Sequence, residues 1–105
     1  MFDINGEEWL VVTVPFNYYK LYRSDGSLSI AACDDIDKTI YISNVLEGDF
    51  LKKVLCHEIT HAAMFSYDVN LTIDQEELLA DLLATYGDQI IYITNKIFKK
   101  MTGRL

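Results

Sequence analysis

The sequence predicts an α+β fold, in which a small, mostly antiparallel sheet of about three strands is followed by two helices. Three observations lead to this prediction. Residues 39–43 alternate strictly with a period of two, as a β-strand does. From about residue 49, apolar residues instead recur at spacings of three, four and seven, which is typical of an amphipathic helix. Thr72 and Gln75 then form a capping-box pattern, which predicts the start of a second helix.

The individual elements follow from local signals. Strands are predicted at residues 9–14, where Pro15 ends an apolar run, at 28–33 after a polar turn, and at 39–43. The first helix is predicted from about residue 49 to 67. The second helix runs on from Thr72, with Gly87 as a place where it kinks or divides and Gly103 as its end.

Length and composition predict one minimal domain over residues 1–105. Half of the residues are apolar, which is ample for one core. No apolar stretch approaches the ~20 residues that span a bilayer, and the first ten residues lack the layout of a signal peptide. We therefore expect a cytoplasmic protein, of a bacterium or of a phage's host, whose two cysteines are reduced thiols.

The charge distribution disfavours one class of partner. The net charge is −7, and acidic residues dominate up to about residue 90. An acidic body repels phosphate backbones, so neither a nucleic acid nor a membrane is expected as a partner. Basic residues gather at the end of the second helix, where cations complement the helix dipole: Lys96, Lys99, Lys100 and Arg104.

The first helix contains the motif that carries chemistry, His57-Glu58-Ile59-Thr60-His61. Residues four apart lie on one face of a helix, so both imidazoles can bind a single metal ion. Glu58 lies on the adjoining flank, where its carboxylate can accept a proton from water that the metal activates. Two histidines at this spacing favour zinc, one per chain.

A catalytic zinc site needs a third protein ligand. With a link of about five residues the two helices become antiparallel neighbours, which puts Glu77 about 6 Å and His61 about 9 Å from the turn. Glu77 is therefore the favoured ligand. Asp81, one turn further, fits as an outer carboxylate that orients an imidazole. Asp81 as a direct ligand and Glu76, which the leucine pattern turns towards solvent, remain the alternatives.

The pattern His57-Glu58-x-x-His61 followed by Glu77-x-x-Ala80-Asp81-x-x-Ala84 resembles the small gluzincin metallopeptidases of the ImmA/IrrE type. The resemblance covers about residues 28–86 and is closest to the short, phage-encoded form. It implies a minimal zincin-like fold in which His57, His61 and Glu77 bind zinc and Glu58 is catalytic. The chain lacks the helix-turn-helix and sensory extensions of longer members, so the resemblance does not supply a natural substrate.

The leading hypothesis is thus a zinc metallopeptidase that hydrolyses a protein or peptide substrate. The alternative is a non-catalytic zinc-binding interaction module of phage or prophage origin. Tyr67 and Tyr86 are candidates for the phenol that stabilises an oxyanion. The strand at residues 39–43 is either an edge that binds substrate by strand addition or a strand paired on both sides. Oligomeric state and cleavage preference are not predicted.

Overall fold

A computed structural model describes residues 1–103 and confirms the α+β fold. The predicted three strands are in fact four, and the bounds of all elements are as follows: β1 Phe2–Ile4, β2 Glu7–Val14, a 3-10 turn Tyr19–Leu21, β3 Ala31–Asp34, β4 Thr39–Ser43, α1 Gly48–Ser66 and α2 Ile73–Met101.

The additional strand arises from an Asn-Gly turn. Asn5 and Gly6 have φ values of +50° and +80°, which are the left-handed conformations that a tight hairpin turn requires. The turn pairs β1 with β2 in antiparallel register, with Phe2 opposite Trp9. Asn-Gly is a strong local signal for a two-residue hairpin turn, and the predicted three-strand sheet does not include the strand that precedes it.

The sheet has the strand order β1-β2-β4-β3 and is mixed. The two outer pairings are antiparallel, whereas β2 and β4 are parallel, from Leu10 opposite Thr39 to Val14 opposite Ser43. Since β4 pairs on both sides, the possibility that it forms a substrate-binding edge is wrong, and the fully paired alternative is correct. The edge of the sheet on this side is β3.

The alternation of β4 separates two clusters of apolar side chains. Ile40 and Ile42 face α1 and pack in one cluster with Trp9. Tyr41 points to the opposite face, where it packs against Val14 and Leu21. The sheet is therefore covered by α1 on one face and by the segment around the 3-10 turn on the other.

The second helix begins and ends where the sequence predicts. Thr72 and Gln75 form both hydrogen bonds of the capping box, and Gly103 follows the last turn with φ +71°. The predicted division of the helix at Gly87 is wrong, because α2 is continuous over 29 residues. Among the described residues, neither helix combines the length and the apolar character needed to cross a bilayer. Arg104, the last member of the basic cluster, lies outside the described residues.

The distal half of α2 extends past the rest of the molecule. Lys52 in α1 forms an ion pair with Asp88 at 2.8 Å, close to the beginning of α1. Residues 89–101 continue for about 20 Å beyond this level at the helical rise. Every residue from 88 to 101 is exposed, and the molecule is accordingly elongated, with extents of 54 × 30 × 27 Å.

The N-terminal hairpin is anchored to the end of α1 at one residue. The Trp9 indole, fully buried, donates from Nε1 to Ser66 Oγ at 2.8 Å, and Asn5 Nδ2 donates to the Ser66 carbonyl oxygen at 2.9 Å. We expect Ser66→Ala to leave the indole N–H unsatisfied and to lower the free energy of unfolding by ~1–3 kcal/mol. Thermal unfolding followed by circular dichroism measures the loss. Ser24→Ala, at an exposed turn, is the matched control, and equal melting of the two variants would contradict the prediction.

Candidate metal centre

The position of the motif in α1 gives its residues different surroundings. Glu58 lies four residues from both Val54 and Ala62, in the row that packs towards the sheet, and is itself only 8% exposed. His57 and His61 lie one residue before and three after Glu58, so their rings turn from the sheet towards α2. The helix thereby separates a buried carboxylate from two imidazoles that reach the neighbouring helix.

The two imidazoles and Glu77 meet at one point. His57 Nε2 and His61 Nε2 are 3.1 Å apart. The Glu77 carboxylate bridges them, with Oε1 2.9 Å from His61 Nε2 and Oε2 3.3 Å from His57 Nε2. One ligand atom from each residue lies within 4.8 Å of the other two. The structure thus brings together the three side chains that the sequence proposes as metal ligands.

Each imidazole is held from behind by a carboxylate. Asp81 Oδ1 lies 3.0 Å from His57 Nδ1, and Glu76 Oε1 lies 2.6 Å from His61 Nδ1. A neutral imidazole that donates its Nδ1 hydrogen to a carboxylate keeps the lone pair on Nε2. Both Nε2 lone pairs are then directed to the point that Glu77 also approaches, which is the arrangement that a metal ion requires.

The predicted orientation of Glu76 towards solvent is wrong. Its side chain is 20% exposed and binds His61, which is itself only 12% exposed. Of the leucines that predict the buried side of α2, Leu79 is half-buried, whereas Leu82 and Leu83 are 46% and 40% exposed. The buried residue is Ala80, so the face of α2 against α1 is narrow and is flanked by both glutamates. Glu76 thus lies where an outer carboxylate for His61 is needed.

The donor set fits a divalent transition metal. Two imidazole nitrogens and a carboxylate converge, and in the tautomers that donate both Nδ1 hydrogens outward no hydrogen lies between them. Such converging lone pairs repel one another unless a cation or a proton lies at the centre. Two nitrogen ligands and one oxygen ligand are a set that zinc adopts in catalytic sites, with its fourth position open.

Glu58 is a buried acid with one unpaired oxygen. Its Oε2 is inaccessible to solvent and has no hydrogen-bond partner among residues 1–103. Burial raises the pKa of Glu58 above its ordinary range, while the nearby His61 and His57 partly offset the rise. An unpaired buried carboxyl group costs stability, and such groups concentrate at functional sites.

A cleft lies over this group. Two adjoining cavities of about 280 and 300 Å³ share the side chains of His57, Glu58 and Glu77 as one wall. The opposite wall is formed by Ala31, at the start of the edge strand β3, and by Arg23. Sequence reasoning missed Arg23, which directly precedes the predicted turn. Turn patterns indicate a change of chain direction, but they do not indicate what the turn faces.

The two tyrosines predicted as candidates for stabilising an oxyanion lie outside the cleft. Tyr67 and Tyr86 are 58% and 53% exposed, and neither lines either cavity. Cys33 does line the cleft beside His61, but it is outside the group of three converging ligands. Burial and the charge of Glu58 raise the pKa of Cys33 to about 12, which keeps it a thiol. Both cysteines are free.

If zinc binds between His57, His61 and Glu77, it is expected to stabilise the fold, because these side chains come from both helices. A ligand that binds only the folded chain raises the free energy of unfolding by about 2.7 kcal/mol at 100 times its Kd. Melting temperatures measured with equimolar zinc and with chelator should therefore differ by several degrees. The difference should shrink in acid, because protons compete with the metal for the imidazoles. Identical melting in both conditions would argue against a tight site.

Comparisons of the chain with family models, curated proteins and solved structures gave no match.

Proposed function

We propose that this chain is a zinc-dependent peptidase of a minimal gluzincin type. The observation that carries the proposal is the buried, unpartnered carboxylate of Glu58 beside the converging group of His57, His61 and Glu77. A purely structural metal site has no use for such a group, because a buried carboxylate without a partner only destabilises the fold. A hydrolase needs a base at this position.

Each residue then has a defined role. His57, His61 and Glu77 hold the metal, while Asp81 and Glu76 fix the imidazoles by accepting their Nδ1 hydrogens. When bound, the zinc acts as a Lewis acid that polarises the substrate carbonyl and activates water. Glu58, whose side chain lines the cleft, accepts the proton from water at its carboxylate and then delivers it to the leaving amine nitrogen.

An extended peptide fits the cleft better than a compact substrate. Among the described strands, β3 pairs with β4 on one side only, and its residues line the cleft together with His57, Glu58 and Glu77. A peptide that adds to the other edge of β3 would lie beside these side chains, and it would replace the bonds that Ser29 Oγ makes to the N–H and the carbonyl oxygen of Ala31. Arg23, on the same wall, supplies a positive charge for a substrate carbonyl or carboxylate.

The resemblance to the ImmA/IrrE type agrees with these roles, since it implies the same ligands and the same base. We extend the proposal accordingly to a cytoplasmic enzyme, acting in a bacterium or in the host of a phage. The natural substrate would then be a protein of that compartment.

Digestion of a peptide library tests the proposal directly. The protein loaded with one zinc per chain should cleave a subset of the peptides, and mass spectrometry identifies the new termini. Removal of the metal by a chelator should stop cleavage, and adding zinc back should restore it. Absence of cleavage across both the library and host-cell proteins, in a protein that holds zinc, would favour the non-catalytic binding module.

A further inference from the structure

The distal half of α2 presents an apolar surface that the described residues leave uncovered. Five of its large apolar residues each expose 45–60% of their surface, and they are Ile90, Ile91, Ile93, Ile97 and Phe98. At about 100° per residue these side chains fall within one arc of about 160°, with Lys96 and Lys99 outside it and Lys100 at its border. We call this arc the distal face of α2. Monomeric proteins rarely expose an apolar surface of this kind.

Part of the distal face continues the side of α2 that packs on α1. Ala80, Ala84 and Gly87 lie on the side of α2 that packs on α1. Ile91 and Phe98 follow on this same side at helical spacing, but α1 begins only at Gly48, level with about residue 88. One side of the distal face, with Ile91 and Phe98, is thus an extension of a helix-packing surface whose partner helix has ended, and the other apolar residues lie beside it. This indicates that another helix covers it.

The spacing within the distal face matches helix-on-helix packing. Tyr86, Ile90, Ile93 and Ile97 are separated by four, three and four residues, as in the seam of a coiled coil. A flat lipid surface needs no such seam. It would also repel residues 1–87, which carry 15 acidic and only five basic side chains.

The charge distribution of the chain indicates that the helix covering the distal face is α2 of a second copy. Residues 88–105 carry four basic side chains and one acidic one, the opposite balance to that of residues 1–87. Two copies of α2 packed antiparallel would bring the basic end of each beside the acidic part of the other. A parallel pair would instead place the two lysine clusters together. A twofold pair also lets one surface serve both partners.

We propose that the distal face of α2 is a homodimer interface, in which the α2 helices of two copies pack antiparallel. The apolar seam supplies the buried surface, and the opposite charges of the two halves of the chain set the direction. This interface is separate from the metal centre, so the proposal does not depend on the peptidase activity.

Sedimentation velocity of the full chain over a concentration series tests the proposal. The wild type should sediment as a species of twice 12.1 kDa. Ile93→Asp should raise the dissociation constant by at least ~100-fold, because the twofold axis buries the new carboxylate twice. Tyr92→Asp, at an exposed position about 180° from the centre of the distal face, is the matched control and should remain dimeric.

A charge variant provides a second test that keeps the apolar seam. Lys96→Glu combined with Lys99→Glu and Lys100→Glu removes the charge complementarity, and it should weaken the dimer without changing the helix content. Circular dichroism shows that each variant is folded. A monomeric wild type would overturn the proposal, as would a dimer that Ile93→Asp leaves intact. Binding of the monomer to anionic lipid vesicles through the distal face would also overturn it, in favour of a membrane surface.

Discussion

Replacement of Glu58 by glutamine is expected to abolish peptide hydrolysis and to leave zinc binding unchanged. Glutamine has nearly the shape of glutamate, so the packing of the row Val54, Glu58 and Ala62 should survive. The amide has no basic oxygen that could take a proton from water. Loss of a general base typically costs ~10²–10⁴-fold in rate. The loss should be larger here, because the same carboxylate also has to protonate the leaving amine.

The measurement needs both a metal readout and a rate. Elemental analysis should find one zinc per chain in the wild type and in Glu58→Gln, whereas only the wild type should cleave the library peptides. Glu8→Gln, which removes one carboxylate at an exposed position of β2, is the matched control and should be fully active. Equal cleavage by the wild type and Glu58→Gln would show a contaminating peptidase or another mechanism.

The second large effect is a loss of zinc affinity, which we expect when Glu77 is replaced by alanine. Its two carboxylate oxygens lie 2.9 and 3.3 Å from the two imidazole nitrogens that face the metal position. Glu77→Ala therefore removes one of three ligands. Asp81→Ala and Glu76→Ala remove only the carboxylates behind the imidazoles, and such losses cost ~10–100-fold in metal affinity. We expect Glu77→Ala to weaken zinc binding by more than either of them.

Competition with a zinc-binding dye measures all three affinities. Asp74→Ala is the control, since Asp74 is an exposed carboxylate in the first turn of the same helix. If Glu76→Ala lost the metal while Glu77→Ala retained it, Glu76 would be the ligand and the assignment made here would be wrong. A larger loss for Asp81→Ala would reassign the ligand in the same way.

The parts of the fold that local signals encode could be predicted. The capping box at Thr72 and Gln75 set the start of α2, and the alternation in residues 39–43 separated the two faces of β4. The parallel pairing of β2 with β4 could not be predicted, because alternation shows which side of a strand is buried and not which strand lies beside it. The hairpin at Asn5 and Gly6 had a clear signal that was overlooked.

The site shows the same division between local and non-local information. His57 and His61 could be predicted from their spacing on one helix. Glu77 could be predicted because its distance from the turn between the helices is similar to that of His61. Glu76 was misplaced because leucines on α2 were assumed to be buried. An apolar stripe has the same period whether its own chain or another molecule covers it, so the sequence alone does not separate the two.

The bonds that Asn5 and Trp9 make to Ser66 also constrain the order of folding. They join residues 61 and 57 positions apart, so the loop between them has to close before the sheet can pack on α1. Contacts of such sequence separation slow folding. During synthesis, the hairpin leaves the ribosome first and has to wait until the whole of α1 has followed. In refolding of the complete chain, by contrast, α1 and α2 can pair across the short link between them first, and burial of Glu58 is completed only when the first residues of the chain dock.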